Sequence, residues 1–208
     1  MDNAVALVEA YLYVNGYFTV TEYPVIEAAG NYNYRMVTDL DIMAVRFPDA
    51  GRMVLNKPDS QRMFALNPVL NCPVDCVDMI VGEVKEGRAE LNRGARDPAV
   101  LRAMFVRFGC CHELDASQLV QQLLRKGVAR TPAGHLVRLI AFGTQATDSH
   151  PSGYKVVSLG HVVQFLQGYL RQHWAILHHA QFKHPAFGFL ATLEKALHDQ
   201  PSETEKKK

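Results

Sequence analysis

The segment Cys76-Val-Asp-Met-Ile-Val-Gly-Glu-Val-Lys85 constrains this 208-residue chain more than any other. It is apolar almost throughout until Glu83 and Lys85, the pattern of a central strand covered on both faces. Such a strand belongs to an α/β architecture, with further strands beside it and helices above and below. Side chains alternate along a strand, so Glu83 and Lys85 project from one face with Val84 between them.

The chain on either side supplies the rest of such a fold. Asn3 is placed to cap a first helix through Val14, with Asn15-Gly16 as its stop. Tyr17–Val25 is rich in β-branched and aromatic residues, and Pro24 marks it as an edge strand. Asp39–Phe47 reads as a second strand whose period of two puts Asp39, Asp41, Met43 and Val45 on one face. A long loop is expected from Asp49 to about Pro73. After the central strand, Asp97-Pro98 starts a helix ending near Gly109, and Ser117 starts another that stops at Gly127. His135–Phe142 and Tyr154–Val157 read as strands. From Ser158 the positions Leu159, Val162, Val163, Leu166, Leu170, Trp174 and Leu177 recur at helical spacing to about Lys183. A last helix lies near Phe187–His198. The expectation is one domain over residues 1–200, with a core over about 1–145, a helical extension over about 158–199 and a disordered tail over 201–208.

Two carboxylates and an ammonium can meet if Asp41 lies on the strand next to Glu83 and Lys85. Hard carboxylate oxygens bind Mg²⁺, and a lysine nearby stabilises charge on a phosphate. An isolated Glu-x-Lys pair at a strand end is most often a surface ion pair, so the surrounding order of elements carries the argument. Thr38-Asp-Leu-Asp-Ile-Met-Ala-Val45 and Met79-Ile-Val-Gly-Glu-Val-Lys85, preceded by a helix and followed by helices, resemble the two halves of the PD-(D/E)XK signature. That resemblance is to the restriction-endonuclease-like nucleases and covers about the first 145 residues. It implies a mixed β-sheet flanked by helices and a divalent-metal-dependent nuclease acting on DNA. Asp41 and Glu83 would be ligands to Mg²⁺ or Mn²⁺, the carbonyl of Val84 would complete the shell, and Lys85 would be the catalytic lysine. Glu9 is a looser match to a helical acid found in some members. The alternative is a non-catalytic module of the same fold that binds nucleic acid or assembles with protein. The sequence departs from the signature in two ways: Leu40 stands in the nominal proline position, and the Asp41–Glu83 interval is long. Asp39 stays open as the acid itself, as a supporting partner of Asp41, or as the solvated start of the strand; Asp41 is preferred.

Charge and cysteine usage bound the remaining readings. A formal net charge of +1 gives no general attraction to nucleic acid. Basic residues do gather after the central strand, where Arg88, Arg93 and Arg96 are candidates for backbone contacts. No apolar run approaches the roughly 18 residues that span a bilayer, and the first residues lack a basic leader, so the expectation is a soluble, cytoplasmic protein. Cys72, Cys76, Cys110 and Cys111 lack the paired spacing of a zinc knuckle and read as reduced thiols. The late histidines His161, His173, His178, His179 and His184 do not form a metalloprotease motif, and no phosphate-cradling glycine pattern or nucleophile elbow is present. The apolar stripe from Leu159 to Leu177 is core, with homodimerisation as its other use.

Overall fold

A computed structural model describes residues 2–30, 33–50, 66–145 and 153–198. Their centre is a mixed sheet. Strand β1 (Phe18–Ala28) pairs antiparallel with β2 (Tyr34–Arg46), and β2 pairs antiparallel with β3 (Asp78–Arg88). Parallel pairing joins β3 to β5 (Leu136–Gln145) and β5 to β6 (Lys155–Ser158), while the three-residue β4 (Val128–Arg130) lies antiparallel on β5. The third strand is therefore internal, as its continuous apolar run requires, and β1 lies at an edge. Pro24 and the positive φ of Glu22 (51°) interrupt that edge and blunt it against further strand pairing.

Alternation along β3 divides the core in two. Ile80 and Val84 face helices α1 (Asn3–Val14), α4 (Leu159–Gln172) and α6 (Pro185–His198), which bury Val8, Leu12, Val162, Leu166 and Phe187 there. Met79 and Val81 face α2 (Pro98–Phe108) and α3 (Glu113–Lys126), against Leu101, Met104, Phe105, Leu119 and Leu123. Each fully buried side chain of this size contributes about 1.5–3 kcal/mol. The helices expected as a C-terminal extension are thus one layer of the core itself.

Local chemistry sets the helix ends, with some shifts from expectation. Asp2, not Asn3, caps α1 by accepting from the Ala4 N–H at 2.8 Å. Asp97 caps α2 as expected, and Gly109 ends it at φ 63°. Helix α3 begins at Glu113, four residues before Ser117, because Glu113 and Asp115 in its first turn complement the helix dipole. Gly127 stops it at φ 67°; a Cβ there would stand 1.6 Å from the Gly153 carbonyl oxygen, so only glycine fits. Ser158 caps α4 by accepting from the His161 N–H, but the expected long helix breaks at His173 (φ −108°, ψ 15°) and leaves a separate short α5 (Trp174–Leu177). In the expected Asp49–Pro73 loop, residues 51–65 lie outside the described residues, and Pro68–Leu70 forms a 3₁₀ turn. The expected 201–208 tail also lies outside them. Among the described residues no helix is long and apolar enough to cross a membrane.

Candidate functional site

The ladder between β2 and β3 runs from Arg46 opposite Asp78 to Ile42 opposite Gly82. Beyond it the next inward N–H of β3, that of Val84, is taken by a side chain: Asp41 Oδ2 accepts it at 2.7 Å. A strand residue directs its N–H and C=O to the same side. The Val84 carbonyl therefore also faces the gap opening between the strands. This gap lies at the carboxyl end of the parallel β3–β5 pair, where open α/β sheets present their ligand sites.

Glu83 and Lys85 occupy the α2/α3 face at this end. The Glu83 side chain is fully buried, and Lys85 Nζ lies 2.5 Å from its Oε1 while remaining 40% exposed itself. The same Oε1 accepts a hydrogen bond from Asn92 Nδ2 at 2.6 Å. Oε2 is buried and has no hydrogen-bond partner. A buried, unpaired carboxylate oxygen is expensive, and Oε2 is the oxygen of Glu83 left for a cation.

Burial dominates the electrostatics. It lifts the Glu83 carboxyl to about 7, with the Asp41 charge adding to the rise and the hydrogen bond from Lys85 opposing it. Asp41 is also raised by burial, against the Val84 N–H and Lys85, which favour its ionised form. For Lys85 burial works downward, yet the hydrogen bond and charge of Glu83, with the charges of Asp41 and Asp39, carry it above its ordinary value. Lys85 therefore stays cationic near neutrality.

The remaining expected site residues divide. Asp39 is exposed and acts on the cluster through its charge. The expected strict alternation fails beside it: Leu40 packs in the same cluster as Met43, opposite the stretch of β1 where Glu22 has positive φ. Glu9 is not brought to the cluster. Its Oε1 accepts from Thr19 Oγ1 at 3.1 Å and its Oε2 lies 3.0 Å from His184 Nε2, which ties α1 to the segment leading into α6. The acid at the start of α1 whose charge reaches Asp41 is its N-cap, Asp2. Arg88, Arg93 and Arg96 are exposed around the same end, with Arg96 set 5.4 Å from the ring centroid of Tyr154.

Sequence reading missed Asn92. An asparagine in a Leu-Asn-Arg-Gly stretch signals a turn and nothing more; its link to Glu83 exists only once the loop folds back over β3.

The donor set suits a hard divalent ion. Mg²⁺ is commonly held by one or two carboxylates together with waters and substrate phosphate, and Asp41, Glu83 Oε2 and the Val84 carbonyl supply oxygen donors only. Among the described residues no group of three or more His, Cys, Asp or Glu side chains is disposed to hold a metal. Cys72 packs on the α1/α4/α6 side and Cys110 and Cys111 on the other, so the sheet separates them. The α2–α3 turn borders an open groove of about 590 Å³ lined by Cys110, Cys111 and His112, but none of the three cluster residues lines it.

Comparison of the chain with protein-family models, with curated proteins and with solved structures gave no match.

Proposed function

We propose that this chain is a divalent-metal-dependent nuclease that hydrolyses DNA phosphodiester bonds on a restriction-endonuclease-like fold. The observation that carries the reading is the buried Glu83 carboxylate, which contacts Lys85, sits near Asp41 and keeps one oxygen without a protein partner. The order of elements supports it too: a helix, an antiparallel three-strand meander bearing both acids, two helices, and a strand returning parallel to β3.

In this reading Asp41, Glu83 Oε2 and the Val84 carbonyl hold Mg²⁺ or Mn²⁺. The bound ion supplies positive charge to the scissile phosphate and eases deprotonation of a water. Lys85 neutralises charge that grows on the phosphate oxygens in the transition state. The charge and hydrogen bond of Glu83 favour the ammonium form of Lys85, which suits this role, and Glu83 keeps the ammonium in place. Arg88, Arg93 and Arg96 bind backbone phosphates and set the register of the strand without reading bases.

A non-catalytic module of the same fold is the second reading, favoured by the small number of side-chain donors. Incubation of the purified protein and its Lys85→Ala variant with plasmid, linear and single-stranded DNA, in Mg²⁺ or Mn²⁺ and with a chelator control, separates the two. The nuclease reading expects chelator-sensitive cleavage that the variant lacks. Equal cleavage by both proteins would reject the site, and no cleavage of any substrate would favour the binding module.

A further inference from the structure

Three observations converge on the loop between β3 and α2. Asn92 donates through Nδ2 to Glu83 Oε1. Its Oδ1 accepts from the Ala95 N–H at 2.6 Å, inside the 3₁₀ turn Gly94–Arg96. That second bond fixes which end of the amide faces Glu83, because an oxygen must point at the Ala95 N–H and leave the NH₂ for the carboxylate. Finally, Gly94 lies directly on β2: a Cβ added there would stand 2.5 Å from Thr38 Oγ1 and 2.6 Å from Thr38 Cβ. The loop is therefore seated against β2 three residues before Asp41 while its asparagine grips the acid on β3.

From this we infer that Asn92 is a positioning residue for the cation site, a deepening that rests on the nuclease reading above. Residues 91–96 act as a strap across the two strands that carry the acids. Asn92 and Lys85 together saturate Oε1, and Asn92 holds the carboxylate plane so that Oε2 is the oxygen presented to the ion. Without the Nδ2–H donor, Glu83 can rotate and close on Lys85 with both oxygens. The ion then competes with the ammonium for the same carboxylate. Partners that orient a metal ligand in this way typically affect affinity by about 10–100-fold when removed.

The variant Asn92→Ser separates the two bonds of this side chain. A serine hydroxyl can still accept from the Ala95 N–H and preserve the turn, but it is too short to reach Glu83. Mn²⁺ alone is titrated into wild type, Asn92→Ser and Asp41→Asn, with free Mn²⁺ followed by electron paramagnetic resonance and urea midpoints recorded for each protein. The inference expects Mn²⁺ binding by wild type and about 10–100-fold weaker binding by an Asn92→Ser protein that still unfolds cooperatively in urea. Equal affinity in the two proteins would overturn the positioning role and leave the nuclease reading standing. Absence of Mn²⁺ binding by wild type would instead remove that reading and this inference with it. If the serine variant does not fold, nitrogen-15 NMR of the wild type decides. Movement of the Asn92 side-chain amide signals on Mg²⁺ saturation supports the inference, and unmoved signals overturn it.

Discussion

Replacing Glu83 by glutamine should make the metal-free protein more stable, and the size of the gain should depend on pH. Burial lifts this carboxyl from 4.5 to about 7. Between those values the folded chain keeps a proton that the unfolded chain releases. Stability therefore falls as pH rises through that window, and the penalty is complete above it. At about 1.36 kcal/mol per pKa unit the ionised carboxylate weakens the fold by roughly 3 kcal/mol at pH 8. Glutamine keeps the acceptor for Asn92 and carries no charge to desolvate, while Lys85 is exposed enough to be solvated by water. Its buried N–H in place of Oε2 offsets part of the gain, so the net stabilisation should be about 1–2 kcal/mol at pH 8 and near zero at pH 4.5. Urea denaturation of both proteins at the two pH values measures it. Adding Mg²⁺ should reverse the order, because only a protein that binds the ion gains from it, by about 2.7 kcal/mol at one hundred times the dissociation constant. A variant less stable than wild type at pH 8, or a gain of the same size at pH 4.5, would refute the burial argument.

Other perturbations test separate parts of the account. Arg138 forms an ion pair with the fully buried Asp78 and also donates to the Leu70 carbonyl; Arg138→Leu should lower stability by about 3–5 kcal/mol, and an unchanged urea midpoint would contradict that. Gly94→Ala forces a methyl into Thr38 and should destabilise the fold by about 1–3 kcal/mol, read by thermal unfolding. Single replacements Arg88→Ala and Arg93→Ala should weaken DNA binding to similar extents across sequences and reduce the slope of log affinity against log salt by about one each. A sequence-dependent loss would show instead that these residues read bases.

The centre of the fold could be read from sequence because its signals are short-range. Strand β3 announces itself by an apolar run that ends in Glu83 and Lys85, and α2 by Asp97, Pro98 and Gly109 at its two ends. Weak or long-range determinants were not legible. Three-residue β4 has no periodicity to detect and exists because it docks on β5. The start of α3 rests on first-turn acids rather than a side-chain cap, so Ser117 misled. At the site, the Glu83–Lys85 pairing follows from alternation, whereas Asp41 reaches Val84 only because β2 and β3 part after Ile42. Glu9 looked available as an acid of α1 until His184, 175 residues further along and just before α6, came to lie against it. Asn92 depended on a loop whose path no local pattern specifies.

The most direct test of the central claim separates holding the ion from using it. Cleavage of DNA under single-turnover conditions is followed across a Mg²⁺ titration for wild type, Asp41→Asn and Lys85→Met, alongside Mn²⁺ binding to the same proteins. The account predicts that Asp41→Asn loses binding and cleavage together, while Lys85→Met still binds Mn²⁺ but does not cut. Cleavage by Lys85→Met at the wild-type rate, or undiminished Mn²⁺ binding by Asp41→Asn, would contradict it.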